Sequence, residues 1–254
     1  MGIWVSDMKK ILSISLIVLL FTGCKKEQWD DCISSTGNDI SIERPLKTFD
    51  KISISDKFNL IISQDTSQSE RVILTGGENI LEGISAEVDG NALTISNRNT
   101  CNFVRSYDRE ITVEVFVHDL IEIEIFGATS IVSKDTLRLN DLSIYHSALE
   151  DIDLTIDVSG EVFVESINSG ATILHGKAQK IKGSIEEITN LDARDLVCEE
   201  AIIDIHTPLD CYINATKLIY AGIYNKGNLF YVSEPSDLKE VHDQKGTGQL
   251  IKLP

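Results

Sequence analysis

The chain is predicted to be all-β, its larger part a β-solenoid of the parallel β-helix kind. Three observations predict this. A repeat of about 20 residues runs from about Leu120 to Pro235, apolar and polar residues alternate strictly within it, and four prolines with no long 3.6-residue apolar period leave little room for helix. Each repeat is an alternating strand, a corner of small or turn-forming residues, and a second strand. The corners read Phe126-Gly127-Ala128-Thr129, Ser147-Ala148-Leu149-Glu150, Ser169-Gly170-Ala171-Thr172, Thr207-Pro208-Leu209-Asp210 and Asn225-Lys226-Gly227-Asn228, with a degenerate copy at Glu186-Glu187. One such unit cannot bury its apolar face alone, so the units stack, and at about 4.8 Å between turns bulky corner residues would collide with their copies. An antiparallel meander shares the alternation but has no need of the period.

Residues 1–23 read as an export leader: Met8-Lys9-Lys10, then a short apolar run from Ile11 to Phe21, well below the roughly 20 apolar residues of a membrane span. The segment ends Leu20-Phe21-Thr22-Gly23-Cys24, which resembles the bacterial lipobox with Phe21 where Leu is usual. The resemblance implies that Cys24 is diacylated and the leader removed. Residues 24–39 then form a tether, and acyl chains contributing about 0.8 kcal/mol per buried methylene hold the protein on a membrane. Acidic residues ending in Trp29-Asp30-Asp31-Cys32, behind Lys25-Lys26, resemble surface-export signals of Gram-negative lipoproteins. The expected location is the outer membrane, facing either the periplasm or the cell surface.

Residues 40–118 form an N-terminal β region. Phe49, Ile52 and Ile54 alternate with Asp50, Ser53 and Ser55; Phe58, Leu60 and Ile62 alternate with Asn59, Ile61 and Ser63. Asp89-Gly90-Asn91 reads as a hairpin turn, because Gly and Asn accept positive φ, and Glu78 to Ile84 is the single candidate for a helical turn. The solenoid repeats occupy 119–235. Asp151 to Val158 and Glu200 to Ile205 set one dry face against a wet, acidic one. Residues 236–254 are a C-terminal segment.

Together, Phe49-Asp50-Lys51-Ile52, Gly76-Gly77-Glu78-Asn79-Ile80-Leu81, Val88-Asp89-Gly90-Asn91-Ala92-Leu93, the corner Ser169-Gly170-Ala171 and Gly227-Asn228-Leu229-Phe230-Tyr231 resemble the head GIN domain family. That family is also described as putative auto-transporter adhesins, exported bacterial proteins with β-helical folds. The resemblance runs from about Phe49 to Pro235 and implies an adhesin-like role without an active site.

The chain carries 23 Lys plus Arg against 40 Asp plus Glu, a net charge of −17, and loss of residues 1–23 makes it one unit more negative. Such a surface repels phosphate backbones, so nucleic acid is excluded as a partner while protein or glycan partners are admitted. Cys32 and Cys101 flank the first sheet region and can pair, pinning the tether to the body; Cys211 alternates inward with Ile213 and Ala215, and a Cys198–Cys211 pair stays open. No short paired Cys/His spacing marks a zinc site.

His118, His146, His175, His206 and His242 are read as surface residues. His146 and His206 share one edge of the stack, three turns or about 14 Å apart, too far to share a metal or a proton. The outward carboxylates Glu122, Glu124, Asp151, Asp153, Asp157, Glu161 and Glu165 read as a solvated face; calcium is a weak alternative, since the G-G-x-G-x-D nonapeptide is absent. Tyr145, Phe163, Tyr212, Tyr220 and Tyr224 read as scattered single aromatics. No catalytic, cofactor or metal residue emerges. The reading is a non-enzymatic envelope lipoprotein that binds another macromolecule through an extended face, with a polysaccharide lyase or hydrolase on a β-helix scaffold as the rival.

Overall fold

A computed structural model describes residues 36–99, 110–243 and 246–254. The leader, Cys24, and the Cys32–Cys101 pairing lie outside the described residues. Strands make up 64% of the chain and helix 2%, in a β-solenoid of about 6 turns.

The chain first lays down β1 (Asp39–Pro45), β2 (Lys51–Ile54), β3 (Asn59–Gln64), β4 (Arg71–Gly77), the one-turn helix α1 (Glu78–Leu81), β5 (Ile84–Asp89), β6 (Ala92–Asn97) and β7 (Thr112–Val117). Then follow β8 (Glu122–Gly127), β9 (Ser130–Ser133), β10 (Leu137–Leu139) and β11 (Leu142–Ala148). The long strands β12 (Ile152–Ser166), β13 (Ala171–Ile185), β14 (Asn190–Ile205) and β15 (Cys211–Ile223) each contribute to both faces, before β16 (Leu229–Tyr231), β17 (Asp237–His242) and β18 (Leu250–Lys252). The sheet is continuous across residues 118 and 235, where the sequence pattern changes.

Two parallel faces wrap one core. One face stacks β6, β2, β8, β11 and the C-terminal halves of β12 to β15, ending at β17. The other stacks β7, β3, β9 with β10, and the N-terminal halves, ending at β16 and β18. Spatial order departs from chain order at the start: Lys51 pairs with both Ala92 and Glu122, and Leu60 with both Val113 and Ile131, so β2 and β3 are an interior turn. Antiparallel β4 on β7, β1 on β4 and β5 on β6 close that end. There Arg44 donates to the carbonyls of Ile84 at 2.6 Å and Leu81 at 2.9 Å. The expected hairpin is present, with Gly90 at φ 60° between Asp89 and Ala92, and the expected helical turn is α1.

The corner joining the faces has the same length in every turn. Inward residues on its two sides are Ile54 and Leu60, Ile125 and Ile131, His146 and Ile152, Ser166 and Thr172, Ile185 and Leu191, Ile205 and Cys211, Ile223 and Leu229. Its second position takes positive φ in Asp56 (86°), Gly127 (78°), Asn168 (82°) and Glu187 (53°). This turn is why small, Asn and Asp residues recur there, and Glu187 is the costly exception. Variation in the period arises away from this corner, with register shifts between Val158 and Glu161 and between Cys198 and Glu200 at the opposite edge, and between Ile173 and His175 and between Asp192 and Val197 along the face leading to it.

Inward positions form aliphatic ladders, among them Ile123, Ile144 and Val164, each fully buried. At the far end the ladders finish in charge: Glu240 stands over Ala221 and His242 over Ile223, with His242 Nε2 2.9 Å from Glu240 Oε1. Exposed β17 thus ends the stack with polar groups that discourage further strand addition.

Candidate interaction surface

Outward side chains mostly engage one another across turns. Lys51 meets Glu122 at 3.0 Å, Lys177 meets Asp157 at 3.2 Å, Lys182 meets Glu161 at 2.8 Å, and His175 bridges Asp153 and Asp195 at 3.2 and 3.6 Å. Asp151 accepts the Ala171 amide at 2.7 Å, while Glu124 and Glu165 flank Tyr145. Solvent screens exposed pairs of this kind, so their effect is to cover the face with matched charge rather than to hold the turns together. Among the described residues no group of three or more His, Cys, Asp or Glu is arranged to hold a metal ion.

The aromatics are less scattered than the sequence suggests. Tyr145 and Phe163 pack with centroids 5.8 Å apart, Tyr212 stacks on Phe230 at 5.2 Å, and Tyr224 stacks on His206 at 4.7 Å. The Arg194 guanidinium covers the other side of Tyr212 at 3.9 Å while its Nε holds Asp192 at 2.7 Å. These stacks join residues one turn apart, so they become visible only once the register is known.

His146 is not a surface residue. It is fully buried and replaces an aliphatic in the ladder Ile125, His146, Ser166, Ile185, whereas exposed His206 stands over Glu186 on the outer side. Aligning the two corners by their Ala148-Leu149 and Pro208-Leu209 centres slips the register by one residue, which reverses the face. The His146 Nε2–H donates to the Glu150 carbonyl at 2.9 Å, which leaves Nδ1 to accept from the Thr172 hydroxyl at 2.9 Å; Ser166 in turn donates to Thr172 Oγ1 at 2.8 Å. Burial pushes the His146 pKa below its ordinary value, against the opposing effects of the Glu150 carbonyl and Asp151.

Cys198 and Cys211 are buried free thiols rather than a pair. Cys198 donates to the Asn214 carbonyl at 3.4 Å, and burial pushes both thiols up to about 12. Native protein at pH 8 should therefore leave both unmodified by iodoacetamide, with labelling only in denaturant; peptide mass mapping reads the outcome, and rapid native labelling of either would refute their placement.

A shallow groove of about 660 Å³ lies where β3, β7 and β10 end. The Gln64 carboxamide ties its floor together, donating to the His118 and Arg138 carbonyls at 3.0 Å each and accepting the Arg138 amide at 2.8 Å. His118 is held on both ring nitrogens, Nδ1 lying 3.3 Å from buried Glu70 Oε1 and Nε2 meeting the Gln68 carbonyl. No sequence pattern marks this site, because its parts come from three separate strand ends.

The family model described as "Putative auto-transporter adhesin, head GIN domain" matches residues 48–235. Among solved structures, a putative adhesin from Bacteroides fragilis is similar with a TM-score of 0.80 at 21% identity, covering 87% of this chain and 100% of that one. A putative adhesin from Parabacteroides merdae follows at TM-score 0.62 and 15% identity, covering 87% and 99%. A structure titled putative lipid binding protein from Parabacteroides distasonis has TM-score 0.55 and 17% identity, covering 86% and 98%. No curated protein matches the chain.

Proposed function

Because this chain belongs to the head GIN domain family of putative auto-transporter adhesins, we propose that it is a non-enzymatic envelope module contacting another macromolecule through the extended face of its rod. The observation that carries this reading is the cross-turn pairing of outward side chains, from Lys51–Glu122 to His175 with Asp153 and Asp195. Such a face gathers no acid, base and nucleophile around one reacting atom, while it offers a long, preformed contact area. Cys24 supplies the tether by lipidation, and the module stands on the outer membrane, on its periplasmic or its outer side. The neighbour titled a lipid binding protein shares the fold at an identity that carries no ligand across.

Immobilised full-length protein is expected to capture a macromolecule from envelope extracts without altering it, and protease added to intact cells to remove the domain if it is displayed. Release of shortened glycan from those extracts, abolished by a carboxylate substitution, would overturn the reading in favour of a polysaccharide-active enzyme.

A further inference from the structure

We propose that the groove at the ends of β3, β7 and β10 binds a saccharide unit bearing one carboxylate, a uronate or a sialate, with Arg138 as its anchor. This names the chemistry of the partner in the adhesin-like reading and rests on that reading for its setting.

Arg138 is distinctive for its free guanidinium. Among the described residues, Arg44 is spent on the carbonyls of Leu81 and Ile84, Arg71 on Asp65 and the Phe116 ring, Arg98 on Glu87, and Arg194 on Asp192 and Tyr212. Arg138 is exposed, and Gln64 uses only its backbone. Its rung partner Asp157 turns instead to Lys177 at 3.2 Å, and Asp119 in the same groove accepts the Leu120 amide at 2.9 Å. Neither carboxylate forms an ion pair with Arg138.

The surroundings are fixed in advance. Gln64 locks the three strand ends, and His118 is clamped by Gln68 and by Glu70, which is 4% exposed and whose Oε1 makes no hydrogen bond of good geometry. Thr66, Asn140 and Ser159 line the rim with hydroxyl and amide groups suited to sugar hydroxyls. The guanidinium fork matches a carboxylate in two parallel bonds. A net charge of −17 repels polyanions, which selects for one carboxylate on an otherwise neutral polyol.

Calorimetric titration of the full chain in detergent with 3′-sialyllactose, with a glucuronate-terminated disaccharide and with lactose tests this. At least one acidic probe should bind about 10-fold or more tighter than lactose, and the one that binds identifies the sugar. Arg138→Gln should remove that advantage, Arg138→Lys keep part of it, and Lys217→Gln, whose partner Glu199 lies elsewhere, leave it intact. Equal binding of all three probes, no binding of either acid, or full binding by a folded Arg138→Gln protein would overturn the groove assignment. Envelope capture that survives Arg138→Gln would do so while sparing the adhesin-like reading. Sialyllactose binding without any envelope capture would spare the groove and remove the reading.

Discussion

Gly176→Ala is expected to cost about 3 kcal/mol or more, an unusually large effect for one added methyl. Gly176 pairs with buried Ile156 and Leu196 on the two sides of β13 but is itself exposed, at φ 104°, and a Cβ there would press into the Ile156 carbonyl oxygen of the turn beneath. Neither backbone can yield, because each is held in ladders on both sides. Gly90→Ala is the control: φ is positive there too, at 60°, yet nothing lies within 4 Å of the added carbon, so the cost should stay near 1 kcal/mol. Urea unfolding of both variants measures the gap. Equal losses would show that close approach between turns contributes nothing beyond the backbone angle.

The second large effect concerns the polar break in the aliphatic ladders. Thr172→Val is nearly isosteric but leaves His146 Nδ1 without a donor and the Ser166 hydroxyl without an acceptor, both in a fully buried site. Each orphaned group costs about 1–3 kcal/mol. Replacing the set together, His146→Ile with Ser166→Val and Thr172→Val, continues the ladders with their flanking residue type and should restore part of that loss, since both partners of each buried bond within the set are removed and only the part-buried Glu150 carbonyl loses its donor.

The same residues set a pH dependence. The folded-state pKa of His146 is depressed, so the unfolded chain takes up the proton first as pH falls past the ordinary value near 6.5. Stability is complete above that value and declines below it, by at most about 1.4 kcal/mol per pH unit, until the folded-state pKa is reached. Glu114, whose pKa burial would raise but Lys134 and Ser63 together bring below its ordinary value, adds its own loss only at more acidic pH, near and below the carboxylate range. Between pH 7.5 and 5.5 the melting temperature of the parent should therefore fall more steeply than that of the triple variant. Parallel slopes would remove His146 from the account.

The alternation of Asp151 to Val158, the hairpin at Gly90 and the single helical turn were all legible in the sequence because they depend on nearest neighbours. Properties that depend on register were not. The His146 assignment failed by one residue, since Ala148-Leu149 and Pro208-Leu209 look alike while the constant corner length is visible only with both inward ladders in hand. Stacks such as Arg194 on Tyr212 on Phe230 join residues from successive turns, and the groove joins Gln64, His118 and Arg138. Nothing in composition or spacing brings these together.

The placement of β2 and β3 inside the stack has a consequence for how the protein is made. Synthesis delivers these strands early, yet Lys51 must wait for Ala92 on one side and Glu122 on the other before both its edges are filled. Assembly therefore cannot proceed like coins added to a pile from the first one issued. These early strands are a keystone inserted between later neighbours, and removing them would divide the molecule in two rather than shorten it from one end.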